Sequence, residues 1–192
     1  PPEGAAKAVE TTDPVIVLDP VTPEPAWDST VSISDLEAFE LGEAKGGASG
    51  GGPEFGTLVH EVLAGEDSDH EGARALAARF ETSPLGARVE RALRVEREWD
   101  FLYELEGVVL SGQIDLWFID EHGQPVVVDY KTDPHESDRY DLQMQFYRLA
   151  VERLLGRPTE AWVFFLRSRA ARAVSDGEAR CRDVVRRWKQ SQ

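Results

Sequence analysis

The sequence predicts an α/β fold in which a small mixed sheet is flanked by helices. Three observations carry this expectation. Residues 34–96 repeat apolar side chains at helical spacing between capping signals. Residues 99–119 change to β-formers around a Glu106-Gly107 turn. Two short apolar runs, 126–131 and 161–166, bracket a long helical stretch. The resulting order is helices, three strands, helix, strand, helix, which buries one core between layers. A chain of 192 residues suits a single domain.

The elements follow in order. Residues 1–31 hold six of the eleven prolines and are acidic, so they read as a tail or linker, with the folded domain over 32–192. Ser34-Asp35-Leu36-Glu37 has capping-box spacing and opens a short helix that Gly42 closes. Residues 46–52 are a glycine-rich, flexible loop. A helix over 56–64 carries Leu58, Val59, Val62 and Leu63 and stops at Gly65. Residues 71–80 are helical, and Ser83-Pro84 starts a helix running to Glu96. Strands 99–105 and 108–119 form a hairpin, residues 121–125 turn, and 126–131 is a buried strand. A long helix over 138–155 ends at Gly156, 161–166 is another buried strand, and an amphipathic helix covers 176–189.

Composition narrows the function. No apolar run nears the roughly 18 residues that span a bilayer. The first ten residues lack a signal-peptide pattern. One cysteine, Cys181, builds neither an intramolecular disulfide nor a four-cysteine zinc or iron–sulfur centre. A cytoplasmic, reducing compartment is expected. The formal net charge of −15 is uneven: −9 over 1–56, −10 over 57–134 and +4 over 135–192. Arg180, Arg182, Arg186 and Arg187 on the last helix are either a strip facing DNA or a solvated helix face.

The chemistry concentrates in Gly112-Gln113-Ile114-Asp115-Leu116 and Val128-Asp129-Tyr130-Lys131-Thr132. Strand alternation puts Asp129 and Lys131 on one face, with Val128 and Tyr130 on the other. It puts Asp115 opposite Leu110, Ile114 and Leu116. If a hairpin sets Asp115 beside Asp129, the two carboxylates repel unless a cation lies between them. A hard divalent ion with oxygen ligands removes that penalty. A plain Asp115–Lys131 salt bridge at a strand end fits the same spacing. Taken singly, His60 reads more readily as a packed core histidine, and Gln143 with Tyr147, four apart on the long helix, as a partly exposed polar face.

Together, Gly56-Thr57-Leu58-Val59-His60, Gly112-Gln113-Ile114-Asp115, Val128-Asp129-Tyr130-Lys131-Thr132-Asp133 and Gln143-x-x-x-Tyr147 resemble the RecB-like branch of the PD-(D/E)XK nuclease superfamily. The likeness is closest to the C-terminal nuclease domain of AddA/RecB-type helicase–nucleases, and it covers about residues 32–168. It implies a restriction-endonuclease-like α-β-β-β-α-β core. It implies Asp115, Asp129 and Lys131 as the catalytic set. His60, Asp115, Asp129 and the Tyr130 backbone carbonyl are then the ligands of Mg²⁺ or Mn²⁺. Tyr130, Gln143 and Tyr147 support the site or contact DNA. The expected activity is metal-dependent hydrolysis of DNA, single-stranded and delivered by a helicase motor in the same chain or complex, as an exonuclease in double-strand break processing and recombination repair. The alternative is a catalytically silent DNA-binding or scaffolding module of a helicase complex. Two departures stand out. Phe55 replaces an arginine that many relatives use before the first-motif glycine, and the four cysteines of cluster-bearing relatives are missing, so no iron–sulfur cluster is expected. The chain has no Walker-type Gly-Lys-Ser/Thr loop, so any motor lies outside these residues.

Overall fold

In a computed structural model, residues 30–43 and 53–192 are described; most of the proline-rich segment and the glycine-rich loop lie outside them. Six strands form one mixed sheet: β1 Thr30–Ser32, β2 Arg94–Leu105, β3 Val108–Ile119, β4 Pro125–Lys131, β5 Glu160–Phe165 and β6 Ala170–Ala173. The helices are α1 Ile33–Leu41, α2 Pro53–Ala64, α3 Glu71–Glu81, α4 Pro84–Glu90, α5 Asp141–Leu155 and α6 Glu178–Gln190. The sheet order is β1-β3-β4-β5-β6, with β2 also on β3. The expected α-β-β-β-α-β core is present, running from α2–α4 through β2, β3, β4 and α5 to β5.

Each sheet face carries its own core. Helices α2, α3 and α4 bury Val59, Leu63, Leu76, Phe80 and Leu85 against Leu116, Phe118, Val126, Val128, Tyr130 and Phe164. Helices α1, α5 and α6 bury Leu36, Phe146, Val151 and Val184 against Leu110, Ile114, Val127, Val163 and Phe165. The alternation of β4 divides Val126, Val128 and Tyr130 from Val127, as strand geometry requires.

Several boundaries differ from the sequence reading. β1 takes in Thr30 and Val31, assigned above to the tail, because Val31 pairs with Leu110 and is buried. Ser32, rather than Ser34, caps α1: its hydroxyl accepts the Asp35 N–H at 3.0 Å, which lets Ile33 enter the core. The helix begun by Ser83-Pro84 ends at Glu90 instead of Glu96. Residues 94–96 leave to pair with 117–119 of β3, and the Arg94 guanidinium lies 4.8 Å from the Trp117 ring centroid. Cross-strand pairing there outweighs local helix propensity.

One glycine is required by contact alone. A Cβ on Gly86, in α4, would press into the carbonyl oxygens of Phe80 and Glu81 at the end of α3. Backbone cannot swing away as a side chain can. Gly86→Ala is expected to cost about 2–3 kcal/mol, measured by urea denaturation; a loss below 0.5 kcal/mol, roughly the size of an ordinary surface change, would show that α3 and α4 slide apart freely.

Candidate active site

β3 and β4 pair only from Leu116↔Val128 to Ile119↔Pro125. Continuing that register, the next opposing residues are Asp115 and Asp129, and there the strands part. Asp115 Oδ2 fills the gap by accepting the Tyr130 backbone N–H at 2.8 Å. In an antiparallel pair a residue's N–H and C=O leave on the same side of its strand, so the Tyr130 carbonyl also faces this gap.

The gap is lined from both faces of the sheet. From α2, His60 Nδ1 comes within 3.4 Å of Asp115 Oδ1. From β4, Lys131 Nζ lies 2.7 Å from Asp129 Oδ2 and donates to Gln143 Oε1 at 3.2 Å. Gln143 Nε2 in turn donates to the Tyr147 hydroxyl at 3.0 Å. The i, i+4 pair on α5 thus forms a chain that orients the lysine. Tyr140 adds its ring face 4.5 Å from Lys131 Nζ and is itself held by donating to Asp133 Oδ2 at 2.7 Å.

The electrostatics follow from burial and charge count. Burial raises the Asp129 pKa and the Asp115 charge adds to that, against the pull of Lys131. Burial also works on Asp115, but hydrogen bonding and charge from His60, together with Lys131 and the Tyr130 N–H, hold its pKa below the usual carboxylate range. Burial disfavours charge on His60, yet Asp115 and Asp129 push it up to about 9. Lys131 is likewise raised, its burial offset by Asp129 and Asp115. Asp129 Oδ2 is sealed from solvent and lies 2.7 Å from the Lys131 ammonium, a charge-assisted contact. Oxygen donors with an imidazole suit a hard divalent cation, and one ligand atom from each of His60, Glu98 and Asp115 lies within 4.8 Å of the others.

A family model described as the PD-(D/E)XK nuclease superfamily matches residues 37–192. The chain belongs to the PD-(D/E)XK nuclease superfamily. It is 40% identical over 118 residues to an ATP-dependent helicase/nuclease subunit of Anoxybacillus flavithermus, covering 54% of this chain and 10% of that protein. It is 35% identical over 126 residues to the protein of the same name from Geobacillus kaustophilus, covering 51% and 10%. The chain therefore spans about a tenth of the curated relatives it matches. Among solved structures, a putative exonuclease from Eubacterium rectale shares the fold, with a TM-score of 0.54 at 12% identity over 84% of this chain and 78% of that one. Members of this superfamily use divalent metals, and His60, Glu98 and Asp115 form a group able to bind one.

Within this nuclease domain, not every anticipated residue reaches the gap by its side chain. The Tyr130 ring is 1% exposed and packs edge-on to Phe80 and His60, so its side chain lies in the core. Tyr147 is also buried, and its hydroxyl accepts the Gln143 amide N–H at 3.0 Å. Leu116 lies on the α2 side, whereas Ile114 lies on the α5 side; the strict alternation expected across 114–116 breaks at Asp115. The α6 arginines are spent elsewhere. Arg182 and Arg186 both pair with Glu106 in the hairpin turn, and Arg187 pairs with Glu40 and Asp183. Arg180 comes within 3.9 Å of Glu40. That turn lies eight residues along β3 from Asp115, roughly 25 Å away, so these arginines are a structural clasp rather than a free strip.

Three residues were not anticipated. Glu98 approaches His60 and Asp115 from β2. Glu37 of α1 has one buried carboxylate oxygen without a hydrogen bond, and burial raises its pKa against the opposing charges of Lys131 and Arg139. Arg167 donates to the Thr132 carbonyl at 2.6 Å, beside the strand end that carries Lys131. Phe55, before the first-motif glycine, packs on the His70 ring at 5.2 Å.

Proposed function

We infer that this chain hydrolyses phosphodiester bonds of single-stranded DNA with Mg²⁺ or Mn²⁺, as the exonuclease part of a helicase–nuclease acting in double-strand break processing. The observation that carries the reading is the parting of β3 and β4 at Asp115 and Asp129, with an ammonium 2.7 Å from the second carboxylate. Asp115, Asp129, His60 and the Tyr130 carbonyl would hold the ion. A bound divalent ion acidifies a water and neutralises charge that builds on the phosphate.

The chain's own groups do the rest. Lys131, oriented by Gln143 and by the Tyr140 ring, stabilises the developing negative charge as a compact cation. Its ammonium lies between Asp129 Oδ2 and Gln143 Oε1, which points it at the gap as a charge stabiliser. Asp115 is held in orientation by the Tyr130 N–H, which removes its freedom to swing toward the lysine. The delivery of DNA by a motor rests on the similarity to helicase/nuclease proteins and on charge. At a net −15, a lone domain has little affinity for a polyanion, and a tethered motor supplies the local strand concentration instead.

The test is cleavage of end-labelled single-stranded DNA in Mg²⁺, in Mn²⁺ and in EDTA. Cleavage is expected with either metal and not in EDTA. Lys131→Ala is expected to lower the rate about 100-fold or more with an unchanged circular dichroism spectrum. Wild-type inactivity in both metals would leave the silent DNA-binding module instead.

A further inference from the structure

We propose that Arg167, with Arg139 and Arg169 near it, forms a subsite for the phosphate backbone of DNA on the rim of the gap, gripping a phosphodiester that neighbours the one to be cut. This rests on the nuclease reading above and adds to it the surface that holds the strand.

Many arginines of this chain are already neutralised. Arg88 bridges Asp120 and Glu160, Arg94 meets Glu96, and the α6 arginines meet Glu106, Glu40 and Asp183. Arg139, Arg167 and Arg169 are exposed and make no ion pair among the described residues. Asp133, next to Thr132 in the chain, accepts the Tyr140 hydroxyl at 2.7 Å and pairs with none of the three.

The fold brings these unpaired cations to the strand end that carries Lys131. β4 and β5 are parallel and finish together: Lys131 pairs with Phe165, and the Leu166 N–H donates to the Lys131 carbonyl at 2.9 Å. The turn into β6 therefore begins level with the lysine, and its first exposed residue is Arg167. Arg167 Nε donates to the Thr132 carbonyl at 2.6 Å, one residue past Lys131. Arg79 of α3 pins the turn backbone by donating from Nη1 to the Leu166 and Arg167 carbonyls at 3.3 and 2.7 Å. On the other side of Lys131, the Arg139 guanidinium lies 5.3 Å from the centroid of the Tyr140 ring, whose centroid is 4.5 Å from Lys131 Nζ.

The chemistry of the rim suits a phosphodiester. A guanidinium carries five N–H donors, and the Thr132 carbonyl engages only Nε of Arg167, so both Nη groups stay open to an anion. Two Nη groups in one plane match two phosphate oxygens. The anchored Nε orients the fork beforehand, which reduces the freedom lost on binding. Arg169 takes φ +59 in the turn, a region that residues other than glycine seldom adopt, so a cation stands where glycine would be easier. At a net −15, a strand needs such a local patch of positive charge to approach the carboxylates. Phosphate contacts carry no sequence information, so the subsite accepts any sequence.

The test is binding of a short fluorescein-labelled single-stranded oligonucleotide to this chain in EDTA, followed by anisotropy from low to physiological KCl. Arg167→Gln is expected to weaken binding about 10-fold at low salt. It should also flatten the plot of log affinity against log salt by about 0.7, as expected for one phosphate contact on a single strand. Arg167→Lys keeps the charge and should keep the slope. Arg186→Gln makes the same charge change on α6 and should alter neither quantity. Melting curves confirm that each variant folds. Unchanged affinity and slope in Arg167→Gln, an equal loss in Arg186→Gln, or no binding by wild type at low salt overturns the subsite. Cleavage of the same strand in Mg²⁺ and Mn²⁺ separates the two readings. A wild type that binds through Arg167 but cuts in neither metal keeps the phosphate subsite and removes the nuclease reading. A wild type that cuts, with Arg167→Gln binding and cutting equally well, removes the subsite alone.

Discussion

Asp129→Asn is expected to reduce metal-dependent cleavage at least about 100-fold while leaving the melting temperature in EDTA unchanged or slightly higher. The two halves of this prediction have separate causes. Loss of activity follows from removing an anionic ligand that faces Asp115 across the parted strands. Retained stability follows from weighing two opposing terms. Breaking a buried ion pair by removing one partner ordinarily costs about 3–5 kcal/mol. Here the lysine left behind keeps the Asp115 charge, the Gln143 carbonyl oxygen and the Tyr140 ring. The carboxylate that is lost was itself disfavoured by burial and by repulsion from Asp115. The second set offsets the first. Initial cleavage rates and a thermal melt on the same preparation check both halves. A melting temperature lowered by more than about 8 °C, or roughly 2–4 kcal/mol at this chain length, would make Asp129 a structural anchor instead.

Phe80→Ala is expected to destabilise the domain by about 3–5 kcal/mol. Phe80 is 2% exposed and packs edge-on between Tyr130 at 4.8 Å and Phe164 at 5.2 Å. The cavity opens directly beneath Tyr130, whose backbone N–H fixes Asp115. The activity of the folded fraction should therefore fall as well, although Phe80 touches no proposed ligand other than through that tyrosine. Urea denaturation with cleavage rates at low denaturant measures both effects. A loss near 1 kcal/mol with full activity would mean that α3 settles onto the sheet without the ring.

Much of this arrangement is legible in the sequence because it depends on local periodicity. Alternation in 126–131 separates Asp129 and Lys131 from Val128 and Tyr130, and the i, i+4 spacing brings Gln143 to Tyr147. Glu106-Gly107 marks the hairpin by itself, since both residues adopt positive φ there. What escaped is what tertiary contact decides. Residues 94–96 look helical in isolation and become strand because β3 offers them partners. β1 is three residues long and has one buried side chain, too little for a pattern. Glu98 sits in an ordinary-looking charged run, and only its backbone turn brings it to His60 and Asp115. The α6 arginines form a visible charge cluster, but their partners, Glu106 and Glu40, lie far away in sequence.

The parting of β3 and β4 makes a window through the sheet. His60 reaches it from the layer of α2, while Gln143 and Tyr147 brace Lys131 from the layer of α5 on the opposite side. Neither layer alone holds the whole constellation. A chain that has docked only one of them has the imidazole without the braced ammonium, or the reverse. On the proposed reading, the site is complete only once both sides of the sheet have closed.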